Sequence, residues 1–88
     1  PYKTQNRGDF LPQATQQTLE YLTNQKKPFM LMIENGLIDN AGHNNDAKNV
    51  IAEELDFDQA IGVAMNYVDT HPETLLIITA DHETGGLT

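Results

Sequence analysis

The chain has 88 residues, with 13 acidic and five basic side chains and a formal net charge of −8 at pH 7. This length allows one small domain at most, and the acidic excess argues against binding to nucleic acid or anionic membranes, which requires clustered lysine and arginine. Cysteine is absent, which excludes both a disulfide framework and a thiolate metal site.

Residues 1–11 are polar and aperiodic, which predicts a linker or loop. From Pro12 to about Gln25, apolar and threonine side chains recur at helical spacing, and the proline suits a first helical turn. No membrane span or signal peptide is expected. No apolar run approaches the roughly 20 residues of a membrane helix, and the N-terminal residues lack the apolar core of a leader.

Two short apolar runs flank a long helical pattern. Residues 29–33 and 75–78 are typical of buried strands, and the segment from about Ala47 to Thr70 has the three-and-four spacing of an amphipathic helix. Strand, helix and strand predict a βαβ unit with parallel strands. We therefore expect an α/β fold, with residues 12–88 forming a helix-strand-helix-strand unit.

Acids and histidines follow both predicted strands. Glu34, Asp39 and His43 come after the first strand, and Asp81 and His82 come after the second. The carboxyl ends of parallel strands meet at one sheet edge, where ligands bind in open α/β sheets, so we expect these five side chains to converge. Carboxylate and imidazole are ligands of zinc and related ions, while a lone carboxylate suits magnesium. Gly85 and Gly86 allow the chain to leave strand geometry so that Asp81 and His82 act together.

Other polar side chains allow more than one interpretation. Glu54 and Asp58 lie on or beside the apolar stripe of the long helix, where they could support metal ligands, cap neighbouring loops or face solvent. Serine is absent, so any serine nucleophile must come from elsewhere. Thr79 and Thr84 carry hydroxyls near the predicted site, but neither has the sequence context of a nucleophile.

Three segments, MLMIENGLIDNAGH, TLLIITADHETGG and the acidic helix AEELDFDQAI between them, together resemble the alkaline phosphatase family. The resemblance covers nearly the whole chain from Pro12 onwards. It implies a parallel-sheet, three-layer α/β/α fold, of which this chain is a fragment. It also implies that Asp39 and His43 bind one zinc, that Asp81 and His82 bind a second, and that Glu34 binds magnesium.

The resemblance implies hydrolysis of phosphate monoesters through a phosphoserine. Four family residues belong to segments that this chain lacks: the serine, the phosphate-binding arginine, an aspartate between zinc and magnesium, and a last zinc-binding histidine. Arg7 does not match the family's arginine. Asn40 stands where many members carry histidine or lysine, which leaves the identity of the third metal open. Asn35 replaces a common glycine, and we expect this replacement to be neutral.

Two alternatives to an alkaline phosphatase remain. One is a phosphodiesterase or sulfatase of the wider superfamily, and the other is a noncatalytic module that binds divalent metal. Family resemblance implies a periplasmic or extracellular location for the parent protein, meaning the longer protein to which such a fragment would belong, with a homodimer as one option for its assembly. We expect the isolated chain to be inactive and to bind zinc weakly.

Overall fold

A computed structural model describes residues 1–87 of the chain. A short 3₁₀ helix at Lys3–Gln5 is followed by three α-helices: α1 at Phe10–Asn24, α2 at Leu37–His43 and α3 at Ala47–Thr70. Among these residues, no helix has the length and apolar character needed to cross a membrane.

The boundaries of α3 have clear local causes. Asp46 precedes the helix, and its side chain accepts a hydrogen bond from the backbone N–H of Asn49 at 3.1 Å, which satisfies one of the free N–H groups of the first turn. The helix ends at Thr70, two residues before Pro72, because a residue that precedes proline disfavours helical geometry. The predicted helix at 47–70 is therefore confirmed. The first predicted helix is confirmed as α1, which begins two residues before Pro12.

The predicted parallel sheet is wrong. Residues 28–35 and 74–84 form neither helix nor strand, and within residues 1–87 no backbone hydrogen bond joins the two predicted strands. Both segments instead line a groove of about 990 Å³ between them. A strand is defined by its hydrogen-bonded neighbour, and neither segment has one among residues 1–87. Residues 1–87 therefore have an all-helical fold, and the α/β expectation, including the βαβ unit and the three-layer α/β/α architecture, does not hold.

The core is small and lies along one side of α3. Its apolar members are mostly alanines, whose small side chains allow close helix packing, together with one leucine: Leu19, Ala41, Ala60 and Ala64. On α3 the buried positions are 53, 56, 60 and 64, which is the spacing of a single helical face. Two of these four positions are acidic, so the face of α3 that packs inward is only partly apolar.

The two apolar segments contact the helices on one side only. Leu31, Ile33 and Leu76 are half-buried, whereas Met30 and Leu75 are 96% and 82% exposed. This alternation is that of an extended chain with one covered face. A substantial apolar surface consequently faces solvent, and surfaces of this kind favour association with other protein.

Candidate metal centre

The first candidate pair lies on α2. Asp39 and His43 are four residues apart in this seven-residue helix, so both side chains lie on one face. The Asp39 Oδ2 atom and the His43 Nε2 atom are 3.3 Å apart, and both side chains are partly exposed. The short helix α2 therefore places this carboxylate and imidazole side by side.

The second candidate pair lies in the loop that follows residues 75–78. Asp81 Oδ2 and His82 Nε2 are 3.4 Å apart, although the two residues are adjacent in sequence. The other ring nitrogen of His82, Nδ1, lies 3.1 Å from the carbonyl oxygen of Glu83. A carbonyl oxygen can only accept a hydrogen bond, so this contact assigns the proton of the neutral ring to Nδ1. The lone pair of Nε2 is then free to bind a metal.

Thr84 connects the two pairs. Its hydroxyl donates to Asp39 Oδ1 at 2.6 Å and lies 3.0 Å from His82 Nδ1. This hydrogen bond, with the nearby imidazoles of His43 and His82, holds the pKa of Asp39 below its ordinary value and favours the charged carboxylate. The carbonyl of Glu83 and the charge of Asp81 raise the pKa of His82. Thr84, expected only to lie near the site, is the side chain that brings the pairs together.

Two glycines allow the loop to approach α2 this closely. Gly85 has a φ of +87°, and a side-chain carbon at that position would collide with the carbonyl oxygen of Gly42. A side-chain carbon at Gly42 would lie 2.8 Å from the carbonyl oxygen of Thr84, which is too close for any real contact. Backbone therefore packs directly on backbone here, and this packing places the Thr84 hydroxyl against Asp39.

Glu34 lies apart from the other candidates. Its side chain is exposed, and its Oε1 atom lies beside Gly36. Within residues 1–87, no hydrogen bond or ion pair joins Glu34 to the other four candidate ligands. The structure thus brings Asp39, His43, Asp81 and His82 into one connected cluster, and it leaves Glu34 on the turn that leads into α2.

The donor chemistry of each pair fits a divalent cation. Two ligand atoms that each lie about 2.0–2.1 Å from a tetrahedral ion are about 3.3–3.4 Å apart. The carboxylate oxygen and the imidazole Nε2 have separations of 3.3 Å on α2 and 3.4 Å in the loop. In the part of the chain that the structure describes, no group of three or more such side chains could hold a metal ion. Each pair can therefore offer two donor atoms to a cation, and the described residues supply no third.

Several supporting residues were missed from the sequence. Glu54 and Asp58, considered as supporting acids, are exposed, whereas Glu53 and Asp56 are buried. The available signal was spacing, because residues 53, 56, 60 and 64 form one helical face. Burial opposes ionisation of Glu53, but hydrogen bonds from Arg7, the Lys3 N–H and Asn35 hold its pKa below the ordinary value. Asn35, expected from the sequence to be a neutral replacement of glycine, makes three side-chain hydrogen bonds.

Comparisons with known proteins agree on one family. The family model described as alkaline phosphatase matches residues 3–88. Alkaline phosphatase 4 of Bacillus subtilis is 41% identical over 78 residues, covering 89% of this chain and 17% of that protein. The repressible alkaline phosphatase of Saccharomyces cerevisiae is 42% identical over 73 residues, covering 78% of this chain and 13% of that protein.

A third relative is named for a particular substrate. The streptomycin-6-phosphate phosphatase of Streptomyces griseus is 34% identical over 79 residues, covering 82% of this chain and 18% of that protein. The chain thus spans less than a fifth of the length of these curated relatives. No solved structure gives a significant match to this chain.

Proposed function

The chain belongs to the alkaline phosphatase family, and from that premise we propose that it is part of a longer parent protein that hydrolyses phosphate monoesters. The observation that carries this proposal is the Thr84 bridge between two Asp–His pairs. Two sets of metal-binding donors are 38 or more residues apart in sequence, yet one hydroxyl joins them. Paired divalent ions are a recurring solution for hydrolysis at phosphorus.

In this proposal Asp39 and His43 hold one zinc ion, and Asp81 and His82 hold a second. Glu34 contributes a carboxylate to a magnesium site whose other ligands lie outside the chain. When bound, the zinc ions supply Lewis-acid stabilisation to the entering and departing oxygens of an in-line displacement. Thr84 holds Asp39 in its charged form, and the Glu83 carbonyl keeps the proton of His82 on Nδ1, away from the metal-binding nitrogen.

The nucleophile and the phosphate-binding arginine are assigned to the remainder of the parent protein. The chain contains no serine. Its Arg7 donates to Glu53 at 2.8 Å and to Asp56 at 2.6 Å, so its charge is already used by carboxylates. These contacts agree with the expectation that Arg7 is not the arginine that binds phosphate. By family resemblance we also propose that the parent protein is periplasmic or extracellular, with a homodimer as the assembly to be tested.

Two other functions use the same Asp–His pairs. A phosphodiesterase or sulfatase would also present Asp and His, and a noncatalytic module would bind metal without turnover. The match of the alkaline phosphatase model to residues 3–88 favours the monoesterase over both.

The test is a substrate comparison on the parent protein. With zinc and magnesium present at alkaline pH, we expect kcat/KM for p-nitrophenyl phosphate to exceed that for bis-p-nitrophenyl phosphate and for p-nitrophenyl sulfate by orders of magnitude. A chelator should abolish the activity, and added zinc should restore it. Preference for the diester or the sulfate would assign the protein to another branch, and zinc binding without turnover would favour the noncatalytic module.

A further inference from the structure

The carboxylate of Glu53 is completely buried, and all of its hydrogen-bond donors are residues outside α3. Its Oε1 atom accepts from the backbone N–H of Lys3 at 2.7 Å and from Arg7 Nη1 at 3.1 Å. Its Oε2 atom accepts from Arg7 Nη2 at 2.8 Å and from Asn35 Nδ2 at 2.9 Å. Because Arg7 uses both η nitrogens, it fixes the plane of the carboxylate as well as its position.

Asn35 links the fixed carboxylate of Glu53 to the segment that holds the first candidate pair. Its Nδ2 donates to the Glu53 carboxylate and also to the Glu53 backbone carbonyl at 3.0 Å. Its Oδ1 accepts from the backbone N–H of Leu37 at 3.3 Å, in the first turn of α2. One side chain therefore ties the second turn of α3 to the start of α2. Asn35 also directly follows Glu34, and α2 carries Asp39 and His43.

Stability alone explains this arrangement poorly. Removing two charges from water is costly, and replacement of a buried ion pair by well-packed apolar side chains is often neutral or stabilising. Glu53 and Asp56 occupy the inward face of α3 beside Ala60, where apolar side chains would otherwise pack. The charged groups instead restrict geometry, because hydrogen bonds between a guanidinium, a carboxylate and an amide allow these side chains only a narrow range of relative positions.

We propose that Arg7, Glu53 and Asn35 form a positioning relay that holds the stretch from Glu34 to His43 in the geometry that binds metal. The inference rests on the proposed function, since it assigns a role to the candidate ligands of that stretch. None of the three residues is one of the candidate metal ligands. They act through Asn35, which directly follows Glu34 in the chain and is hydrogen-bonded to the first turn of α2.

The test is zinc retention by the parent protein. We expect Asn35→Ala to raise the apparent zinc dissociation constant about 10–100-fold in competition with a fluorescent zinc chelator, as is typical when a group that supports a metal ligand is removed. At saturating zinc, kcat should return most of the way to the unmodified value, with KM unchanged. Asn66→Ala is the matched control, because Asn66 is exposed on α3, and it should leave zinc retention unchanged.

A purely structural role predicts a different pattern. If the role is purely structural, Asn35→Ala should have a lower unfolding temperature and an unaltered zinc affinity. A zinc dissociation constant within about twofold of that of the unmodified protein would overturn the relay. If Asn35→Ala does not fold, Asn35→Gly removes the same amide and decides the question by the same measurement. A parent protein that binds zinc and hydrolyses monoesters, with unchanged affinity in these variants, refutes the relay alone. A parent protein that does neither refutes the proposed function.

Discussion

The variant His82→Ala is expected to lower the turnover of a phosphate monoester by the parent protein more than about 100-fold, since loss of a mere supporting group already costs about 10–100-fold. The Nε2 atom of His82 is the free donor of its ring, because Nδ1 faces the Glu83 carbonyl. Alanine leaves Asp81 as the single donor from this chain at the second pair. The same reasoning applies to Asp39→Ala on α2. Steady-state kinetics and zinc content per protein molecule measure both effects.

Matched controls separate ligand loss from general damage. His71 stacks on Tyr67 with ring centroids 3.8 Å apart at the end of α3, far along the helix from the candidate centre, so His71→Ala should retain zinc and turnover. Asp69 is exposed on the same helix and is the control for Asp39. Full activity with normal zinc content in His82→Ala would show that this histidine is not a ligand.

The isolated 88-residue chain is expected to give no turnover above the uncatalysed rate, whatever its metal content. Without serine, no phosphoserine can form. Each Asp–His pair supplies two donors, whereas catalytic zinc usually has three protein ligands and structural zinc four, so zinc should bind weakly. The chain also exposes large apolar side chains along residues 30–32 and 75–78, so it should associate with itself.

The measurement is an assay of the purified chain with p-nitrophenyl phosphate after loading with zinc and magnesium, together with calorimetric titration of zinc and light scattering. The parent protein under the same conditions is the positive control. Turnover by the isolated chain that disappears in His82→Ala would place the nucleophile within these residues. It would mean that the chain is a complete catalyst rather than part of one.

Helices α1 and α3 could be predicted from sequence because their signals are local, whereas the short helix α2 was not predicted. The periodicity of α3, the Asp46 cap and Pro72 all lie within or beside the helix that they define. The strands could not be predicted correctly, since a strand requires a hydrogen-bonded partner and an apolar run does not reveal whether one is present. Residues 29–33 and 75–78 have suitable side chains for strands, but within the described chain they line a groove and do not pair.

In the candidate site, too, the local contacts could be predicted from the sequence and the long-range contacts could not. The Asp39–His43 pair follows from spacing on one helix, and the adjacency of Asp81 and His82 is visible in the sequence. The contact of Thr84 with Asp39 joins residues 45 positions apart, and that of Arg7 with Glu53 joins residues 46 apart. Such contacts depend on how helices and loops pack, which hydrophobic periodicity does not specify. The contacts of Asn35 were not predicted, because its partner, Glu53, lies 18 residues further along the chain.

Anomalous diffraction at the zinc absorption edge, from crystals of the parent protein, tests the assignment of the two pairs most directly. We expect two zinc peaks, one bound by Asp39 Oδ2 and His43 Nε2 and the other bound by Asp81 Oδ2 and His82 Nε2, with each ligand about 2.0–2.2 Å from its ion. Zinc peaks that lie away from these four side chains, or fully metallated crystals in which the pairs contact only each other, would contradict the assignment.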